Sequence, residues 1–285
     1  MHLNKALRAE MQGLYLPLGQ VAEQFLPYDA DAMTRNHRLW RIMAHQFRFD
    51  VPVVSEDLQE AAIVLEGLIN DEILPKKQFT RHLIMQYVTP EYIESRQGKE
   101  RKKWGAPYYR YDIDEGRQAL LMAIAEQMGD AALVVYAAPA VHTMKSLLEA
   151  NMAGTVVRST NCKTAKQMKN KHRLTYTRFS DQSVVYGSGR KVDNVELPVM
   201  LREAGAPPEP MQVSDAMGRP VANRLFIEQM RAAVTDAVKQ TDTHVRRPYE
   251  MMTTLIADLE KYPLLYCLLT MNIFRQLTGT QWAMV

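Results

Sequence analysis

The chain has 285 residues, of which 47% are hydrophobic and 24% are charged, and its formal net charge is only +3. That composition is ordinary for a globular protein, and two cysteines far apart in sequence, Cys162 and Cys267, exclude a disulfide framework or a zinc knuckle. The longest apolar segment is too short to span a bilayer and the first residues are not typical of a signal peptide, so we expect a cytoplasmic protein of one or two domains with no membrane partner.

The first part of the chain alternates between predicted helices and strands. A helix over 32–46 precedes a strand over 47–54, whose sequence FRFDVPVV alternates in polarity. Ser55 then caps a helix whose apolar residues recur at helical spacing, and its acids are expected to lie on the outside. The sequence HLIMQYV at 82–88 is the next predicted strand.

A tyrosine-rich strand near Tyr108, a helix over 114–128 and an apolar strand over 131–137 follow. The run AALVVYA at 131–137 contains no charged residue, which is typical of a strand that is buried on both faces. Together the three elements indicate a strand-helix-strand unit. An α/β sheet is the simplest architecture that buries such a unit.

The remaining chain divides at a segment rich in glycine and proline. Before it we predict a strand over 155–159, a basic helix over 163–173 and a hairpin formed by LTYTRF and SVVYGS. After it the pattern is helical, over 221–240, 248–261 and 263–278. We therefore predict an α/β domain over 1–203, a linker over 204–220 and a helical interaction domain over 221–285.

The segment 262–274 is apolar nearly all round. Such a helix either packs deep within its own domain or docks on another subunit. The eighteen methionines of the chain suit adaptable packing surfaces. We favour a protein–protein interface here, with burial inside the chain as the alternative.

With the acidic helix set aside as an insertion, the order over 32–140 is helix, three strands, helix and strand. This order resembles the core of the PD-(D/E)XK restriction-endonuclease-like family, which is a mixed sheet with flanking helices. The chain is also similar to uncharacterised bacterial proteins with a Pro-Tyr-Tyr-Arg strand and an Ala-Ala-Pro-x-His strand end. Pro107–Arg110 and Ala137–His142 match these features, with one extra residue before the histidine. We expect His142 to be a hydrogen-bonded loop residue rather than a ligand.

The resemblance implies a magnesium site. In that family carboxylates hold Mg²⁺, which activates water and polarises the phosphate, while a lysine steadies the developing charge. By position Asp50 matches the strand acid and metal ligand, Gln86 the acid-or-Gln of the third strand, and Gln118 the glutamine of the helix. Val88 stands where the lysine is needed, and a valine cannot donate to a phosphate. The resemblance therefore implies a degenerate site, with Mg²⁺ bound only if the site is active.

Positive charge is concentrated between Val156 and Val192, a segment that contains nine Lys and Arg residues and a single acidic residue, Asp181. Tyr176, Phe179 and Tyr186 are interleaved among them. Such clusters attract backbone phosphates and such aromatics can stack on unpaired bases, although a solvated charged face is the alternative. A second basic patch precedes the tyrosine-rich strand. We predict that nucleic acid, DNA in preference to RNA, contacts Lys102, Lys103, Lys163, Lys166, Lys169, Lys171, Arg173, Arg178, Arg190 and Lys191.

These observations predict a nucleic-acid-binding subunit built on a degenerate nuclease-like sheet. The resemblance implies that it works in a prokaryotic defence or mobile-element assembly, whose other protein subunits would contact the C-terminal helices. One alternative is an active Mg-dependent endonuclease with its site at Asp50, Gln86 and Gln118. The other is a structural adaptor whose basic face binds only protein.

Overall fold

The computed structural model describes residues 81–95, 97, 100–203, 222–241 and 243–284, together with Ile63, Glu66 and Gly67. The predicted helix over 32–46, the strand over 47–54 with Asp50, and the linker over 204–220 lie outside the described residues.

Nine strands and seven α-helices occur among the described residues from 81 to 284. The strands are β1 (His82–Tyr87), β2 (Glu91–Ile93), β3 (Tyr108–Asp112), β4 (Ala132–Pro139), β5 (Thr160–Thr164), β6 (Arg173–Tyr176), β7 (Gln182–Val185), β8 (Lys191–Asp193) and β9 (Thr280–Met284). The helices are α1 (Arg101–Trp104), α2 (Glu115–Met128), α3 (Met144–Met152), α4 (Leu197–Glu203), α5 (Ala222–Gln240), α6 (Arg246–Leu255) and α7 (Pro263–Thr278). Short 3₁₀ helices span Gly129–Ala131, Lys166–Met168 and Ala257–Lys261.

The strands form two sheets. Sheet A has the order β5-β4-β1-β9. The central strands β1 and β4 are parallel, while β9 pairs antiparallel with β1 and β5 pairs antiparallel with β4. Sheet B has the order β2-β3-β6-β7-β8 and is antiparallel throughout. The predicted α/β class with a mixed sheet and flanking helices is therefore confirmed.

Strand β4 is buried on both faces, as its apolar run predicted. Its alternate residues enter two separate hydrophobic clusters because side chains alternate across a strand. Val134 and Tyr136 belong to the cluster that includes the buried face of α2, with Leu120, Leu121 and Ile124. Leu133 and Val135 belong to the opposite cluster, with Val156, Val157, Leu197 and Met200.

The tyrosine-rich strand does not lie beside β4, which corrects the predicted strand-helix-strand unit within one sheet. β3 pairs instead with β2 and β6 in sheet B. The reason lies in its pattern: Tyr109 and Tyr111 on one face are buried, whereas the other face goes from the buried Tyr108 through the half-buried Arg110 to the exposed Asp112. A strand with one partly wet face suits an antiparallel sheet, and Arg110 pairs across it with Glu91.

The segment between α3 and β6 also differs from its prediction. The strand lies at Thr160–Thr164 rather than at 155–159, and the predicted basic helix over 163–173 is reduced to the 3₁₀ turn Lys166–Met168. Gln167 explains the early turn, since its side chain accepts from the backbone N–H of Thr164 at 2.9 Å. The predicted hairpin is present as β6 and β7.

Helix α7 is a core element of this chain. Twelve of its sixteen residues are buried, and it packs against α5 and α6. Gly279, with φ +72°, ends the helix and turns the chain into β9, which pairs with β1. The apolar surface that favoured a subunit interface is thus used inside the chain. Buried residues of α5, α6, α7 and β9 share one hydrophobic cluster with residues of sheet A.

His82 at the start of β1 shows how tightly this end of the chain is joined to the sheet. Its Nδ1 accepts from Nε1 of Trp282 at 3.1 Å, so Nε2 carries the proton and donates to the carbonyl oxygen of Phe226 at 3.0 Å. The His82 and Phe226 rings stack with centroids 3.7 Å apart. Complete burial lowers the pKa of His82 from 6.5 to about 3. This histidine is a neutral core residue.

Among the described residues, no helix is both long and apolar enough to cross a membrane.

Candidate nucleic-acid interface

Phe179 lies in the turn between β6 and β7 with a left-handed backbone (φ +61°) and 49% of its surface exposed. A bulky residue in this region is a genuine outlier, and such strain persists only when the surroundings impose it. Here Ser180 fixes the turn: its backbone N–H and its hydroxyl donate to the carbonyl of Thr177, and its Oγ accepts from the Thr177 N–H. The turn therefore presents an aromatic ring to solvent at a cost in backbone energy.

Two arginines flank this ring. The guanidinium carbon of Arg178 is 4.9 Å from the ring centroid and that of Arg158 is 5.5 Å from it. Both distances fall within the range of a cation–π interaction. Arg158 also approaches Glu196 at 3.8 Å, and Arg178 donates a long hydrogen bond to Oγ1 of Thr155. Both arginines are exposed, so their remaining N–H groups face solvent.

A cavity of about 100 Å³ opens beside the ring; we call it the Phe179 cavity. Its walls are mainly polar and come from the turn before β5, the end of β6 and the loop after β8. They are formed by Arg158, Ser159, Thr160, Asn161, Tyr176, Thr177, Phe179, Ser180, Asp181, Asn194, Val195 and Glu196.

Behind the cavity lies a buried polar network centred on Asn194. The amide of Asn161 donates to Oγ of Ser183 and to Oδ1 of Asn194, both at 2.8 Å, and Tyr111 donates to Oδ1 of Asn161 at 3.2 Å. Lys163 donates to the same Asn194 oxygen and to the carbonyl of Asp193. Because these groups satisfy one another, the network holds β5 rigidly against the end of sheet B.

Lys163 is therefore not on the predicted nucleic-acid surface. Its side chain is fully buried, and burial lowers its pKa from 10.5 to about 8. The sequence interpretation placed it outside with the other basic residues. The charge can be buried because Lys163 donates hydrogen bonds to Asp193 and Asn194, which lie about 30 residues further along the chain.

The other predicted basic residues fall into two groups. Arg173 forms a bidentate pair with Asp112, and its hydrogen bonds lower the pKa of the Asp112 carboxyl; Lys171 donates to the carbonyl of Gln167. These two cations are half-buried and already engaged. The second group is exposed and comprises Lys102, Lys103, Lys166, Lys169, Arg178, Arg190 and Lys191. Two of these also pair with acids, Lys103 with Glu100 at 3.3 Å and Lys169 with Glu126 at 3.9 Å.

The two basic patches of the sequence meet in space. Lys103 lies over Gly189, with its Nζ 2.9 Å from where a β-carbon of that residue would stand. Trp104 donates from Nε1 to Oγ1 of Thr175 at 3.2 Å, which fixes α1 on sheet B. Lys103, Trp104 and Lys191 line an open cleft of about 550 Å³, the Lys103 cleft. Ser180 and Asp181 line both this cleft and the Phe179 cavity, so the two are adjacent.

An aromatic ladder runs from β2 into sheet B. His142 stacks on Tyr92 with centroids 3.9 Å apart, and its Nδ1 is hydrogen-bonded to the hydroxyl of Tyr109 at 3.0 Å. Tyr109 in turn stacks on Tyr176, whose hydroxyl donates to the carbonyl of Ala138. The expectation that His142 is a hydrogen-bonded loop residue is confirmed.

No protein-family model matches this chain. Comparison with curated proteins and with solved structures likewise finds no significant similarity.

The residues of the predicted magnesium site are held by different elements. Gln86 is buried in β1 and donates to the carbonyl of Tyr87 at 3.0 Å, and its Nε2 lies near Gly279, just before β9. Gln118 is buried in α2 and donates to the carbonyl of Met168, just after β5. β9 and β5 are opposite edges of sheet A. Asp50 lies outside the described residues, and the described ones contain no cluster of three or more His, Cys, Asp or Glu that could hold a metal.

The sequence interpretation missed several residues of this surface. Arg158 was counted among the basic residues of the segment, but no sequence pattern indicated that its side chain lies beside the Phe179 ring. Asn161 and Asn194, which form the inner wall of the Phe179 cavity, carry no sequence signal at all because their pairing depends on the packing of β5 against the end of β8. The interleaved aromatic Phe179 was the one local signal.

Proposed function

We propose that this protein binds nucleic acid through the surface around Phe179. The observation that supports this most is an exposed aromatic ring, held in a strained backbone conformation, between two arginines. Aromatic rings that stack on bases and cations that contact the backbone are the two components of single-strand recognition. Strain at such a position is typical of functional sites.

The adjoining Lys103 cleft adds two lysines to this surface, and Asp181 and Asp193 also line it. Lys103 and Lys191 lie along it, and Arg190 in the turn after β7 is exposed beside Gly189. A single-stranded nucleic acid with one base stacked on Phe179 would place the neighbouring phosphates near Arg158 or Arg178. Its backbone would then continue towards Lys103 and Lys191. Asp181 and Glu196 lie at the same surface and would limit the number of phosphates held.

Charge reversal tests the proposal. Fluorescence anisotropy with labelled single-stranded DNA at several salt concentrations should give an affinity that falls with salt, by a log–log slope of about 0.7 for each phosphate that the protein neutralises. Arg178→Glu should reduce the affinity at least tenfold, on the order of one charge-assisted contact turned into a repulsion. Arg247→Glu, at an exposed arginine of α6, is the matched control and should leave it unchanged.

The proposal is wrong if the wild-type protein shows no salt-sensitive binding, or if Arg178→Glu behaves as Arg247→Glu does. A triple reversal of Lys166, Lys169 and Lys171 probes the other end of β5, where Lys169 approaches Glu126 at 3.9 Å. We expect that triple variant to lose less affinity than Arg178→Glu.

On the strength of the resemblance, we further propose that the sheet has an endonuclease-like origin and that DNA is the preferred nucleic acid. The same resemblance supports a place in a defence or mobile-element assembly with other protein subunits. For the alternative of a Mg-dependent nuclease, incubation of plasmid with Mg²⁺ should show cleavage by the wild type and none by Asp50→Ala. An adaptor would instead bind a protein partner and have no salt-sensitive affinity for DNA or RNA.

A further inference from the structure

The Phe179 cavity has an inner wall that can accept hydrogen bonds but has few protons to give. Ser159 and Thr160, both buried, donate their hydroxyl protons to the same acceptor, the carbonyl oxygen of Val156, at 3.1 and 2.7 Å. A hydroxyl has one proton and two lone pairs, so each oxygen is left able only to accept.

Several other polar groups of the cavity are committed in the same way. Tyr176 donates its proton to the carbonyl of Ala138, and Ser180 donates to the carbonyl of Thr177. The amide nitrogen of Asn161 donates to Ser183 and Asn194, while its oxygen has accepted only one hydrogen bond, from Tyr111. The carboxylates of Asp181 and Glu196 add further acceptors near the opening. The donors among the lining side chains are the guanidinium of Arg158, at the rim, and the hydroxyl of Thr177.

We propose that this cavity receives one unpaired base bearing an exocyclic amino group, with the base edge on Ser159 and Thr160 and its flanking phosphate at the arginines. This inference rests on the proposed nucleic-acid binding and specifies its substrate class. The hydroxyl oxygens of Ser159 and Thr160 lie on one side of the cavity, 3.1 and 2.7 Å from the same carbonyl oxygen and so at most 5.8 Å apart. An NH₂ group can donate to both of them, whereas the carbonyl of uracil or thymine would face acceptors and leave them unpaired.

The cavity has a volume of about 100 Å³, which is too small for a duplex, so one unpaired base is the largest part of a nucleic acid that could enter it. A base can reach it only if it leaves the stack, which costs least in a single strand. Phe179 at the opening then provides a ring for the neighbouring base.

The test compares oligonucleotides of deoxycytidine and deoxyuridine, about 12 nucleotides long. The two bases share one ring and differ at position 4 and in protonation of N3, so their phosphate contacts are equal. We expect the cytosine oligomer to bind about tenfold more tightly, the effect of an NH₂ group that satisfies both hydroxyl oxygens instead of leaving them facing a carbonyl. Equal binding, or tighter binding of the uracil oligomer, would overturn the inference.

Two variants examine the wall itself. Thr160→Val and Ser159→Ala each remove one acceptor. Each should reduce the preference for cytosine about threefold or more, because the cytosine oligomer loses a hydrogen bond and the carbonyl of the uracil oligomer no longer faces that acceptor. Because Thr160→Val also removes an internal hydrogen bond, Ser159→Ala serves as the milder change. Thr253→Val on helix α6 is the control. It also removes a hydroxyl that donates to a backbone carbonyl, that of Tyr249 at 2.9 Å, but it lies outside the cavity. A preference that survives both wall variants would also count against this inference.

The two proposals fail differently. If neither oligomer binds in a salt-sensitive way, nucleic-acid binding itself is wrong and the cavity proposal falls with it. If both bind equally and Arg178→Glu weakens both, the protein binds nucleic acid but the cavity does not select the base.

Discussion

Lys103 and Gly189 approach so closely that a β-carbon at position 189 would push the lysine aside. The Nζ of Lys103 lies 2.9 Å from the position that this β-carbon would take, and the glycine has φ +70°. The contact joins α1 to the turn between β7 and β8, and it brings the two basic patches of the sequence together.

Gly189→Ala should therefore weaken nucleic-acid binding by displacing Lys103 from the Lys103 cleft. Gly187→Ala is a closely matched control, because Gly187 has φ +85° but nothing within 4 Å of its β-carbon position. Both variants should lose about 1 kcal/mol of unfolding free energy through backbone strain. Only Gly189→Ala should lower the affinity in anisotropy measurements. Equal affinities would show that Lys103 does not contribute.

Phe179→Gly should change stability and binding in opposite directions. Glycine adopts φ +61° without the steric cost that phenylalanine bears, so the unfolding free energy should rise by about 1 kcal/mol in urea titrations. Loss of the ring should weaken binding of single-stranded DNA by about 1–3 kcal/mol, the range measured for stacking of one base.

Asn170→Gly is the control for that pair of effects. Asn170 also has a positive φ, of 60°, but lies in the turn after Lys166–Met168. We expect a smaller gain in stability there, since asparagine tolerates this conformation, and no change in affinity. If Phe179→Gly binds DNA as tightly as the wild type, the ring is not a stacking platform.

Lys163→Met and Arg178→Met should differ in their effect on the salt dependence of nucleic-acid binding, because Lys163 is buried and Arg178 is exposed. Arg178→Met should reduce the salt dependence of binding by about one phosphate contact, whereas Lys163→Met should leave it unchanged because Lys163 is fully buried. The comparison is made from affinities at several salt concentrations. A reduced slope for Lys163→Met would mean that this amine reaches the nucleic acid.

His82 should make the protein less stable in mild acid. Its pKa is about 3 in the folded state against 6.5 in the unfolded one, so only the unfolded state gains a proton between these values. Its contribution to stability is complete above pH 6.5 and is lost as the pH falls towards 3. The unfolding free energy should decrease by about 1.4 kcal/mol per pH unit over that interval.

Urea titrations from neutral pH to about pH 5 measure this slope. His82→Gln should flatten it, while His244→Gln, at an exposed histidine of the turn before α6, should leave it as in the wild type. An unchanged slope in His82→Gln would show that other groups cause the acid sensitivity.

Some tertiary contacts involve residues that sequence patterns had assigned to solvent. Glu66 belongs to the predicted acidic helix, whose acids were expected to lie outside. Its carboxylate instead accepts from the backbone N–H groups of Leu264 and Leu265, at 3.0 and 2.8 Å, and caps the start of α7. A carboxylate at a helix N-terminus satisfies free donors and complements the helix dipole. These partners are nearly 200 residues apart in sequence, so no local pattern could reveal the contact.

The sequence by itself determined the elements whose signals are local. The apolar run of β4 predicted a strand buried on both faces, the periodicity of α2 predicted its buried side, and the hairpin of β6 and β7 was visible from its turn. Each follows from side-chain periodicity within a few residues, which is set by backbone geometry alone.

Only the tertiary structure decided which strands are neighbours and which charges are exposed. It placed β3 in a second sheet, paired β9 with β1, buried Lys163 and brought Arg158 beside Phe179. Strand pairing and burial of a charge depend on partners far along the chain, and their free energies arise only when those partners are in place. The proposed site is built almost entirely from such long-range contacts, and for that reason the sequence showed its residue types but not their arrangement.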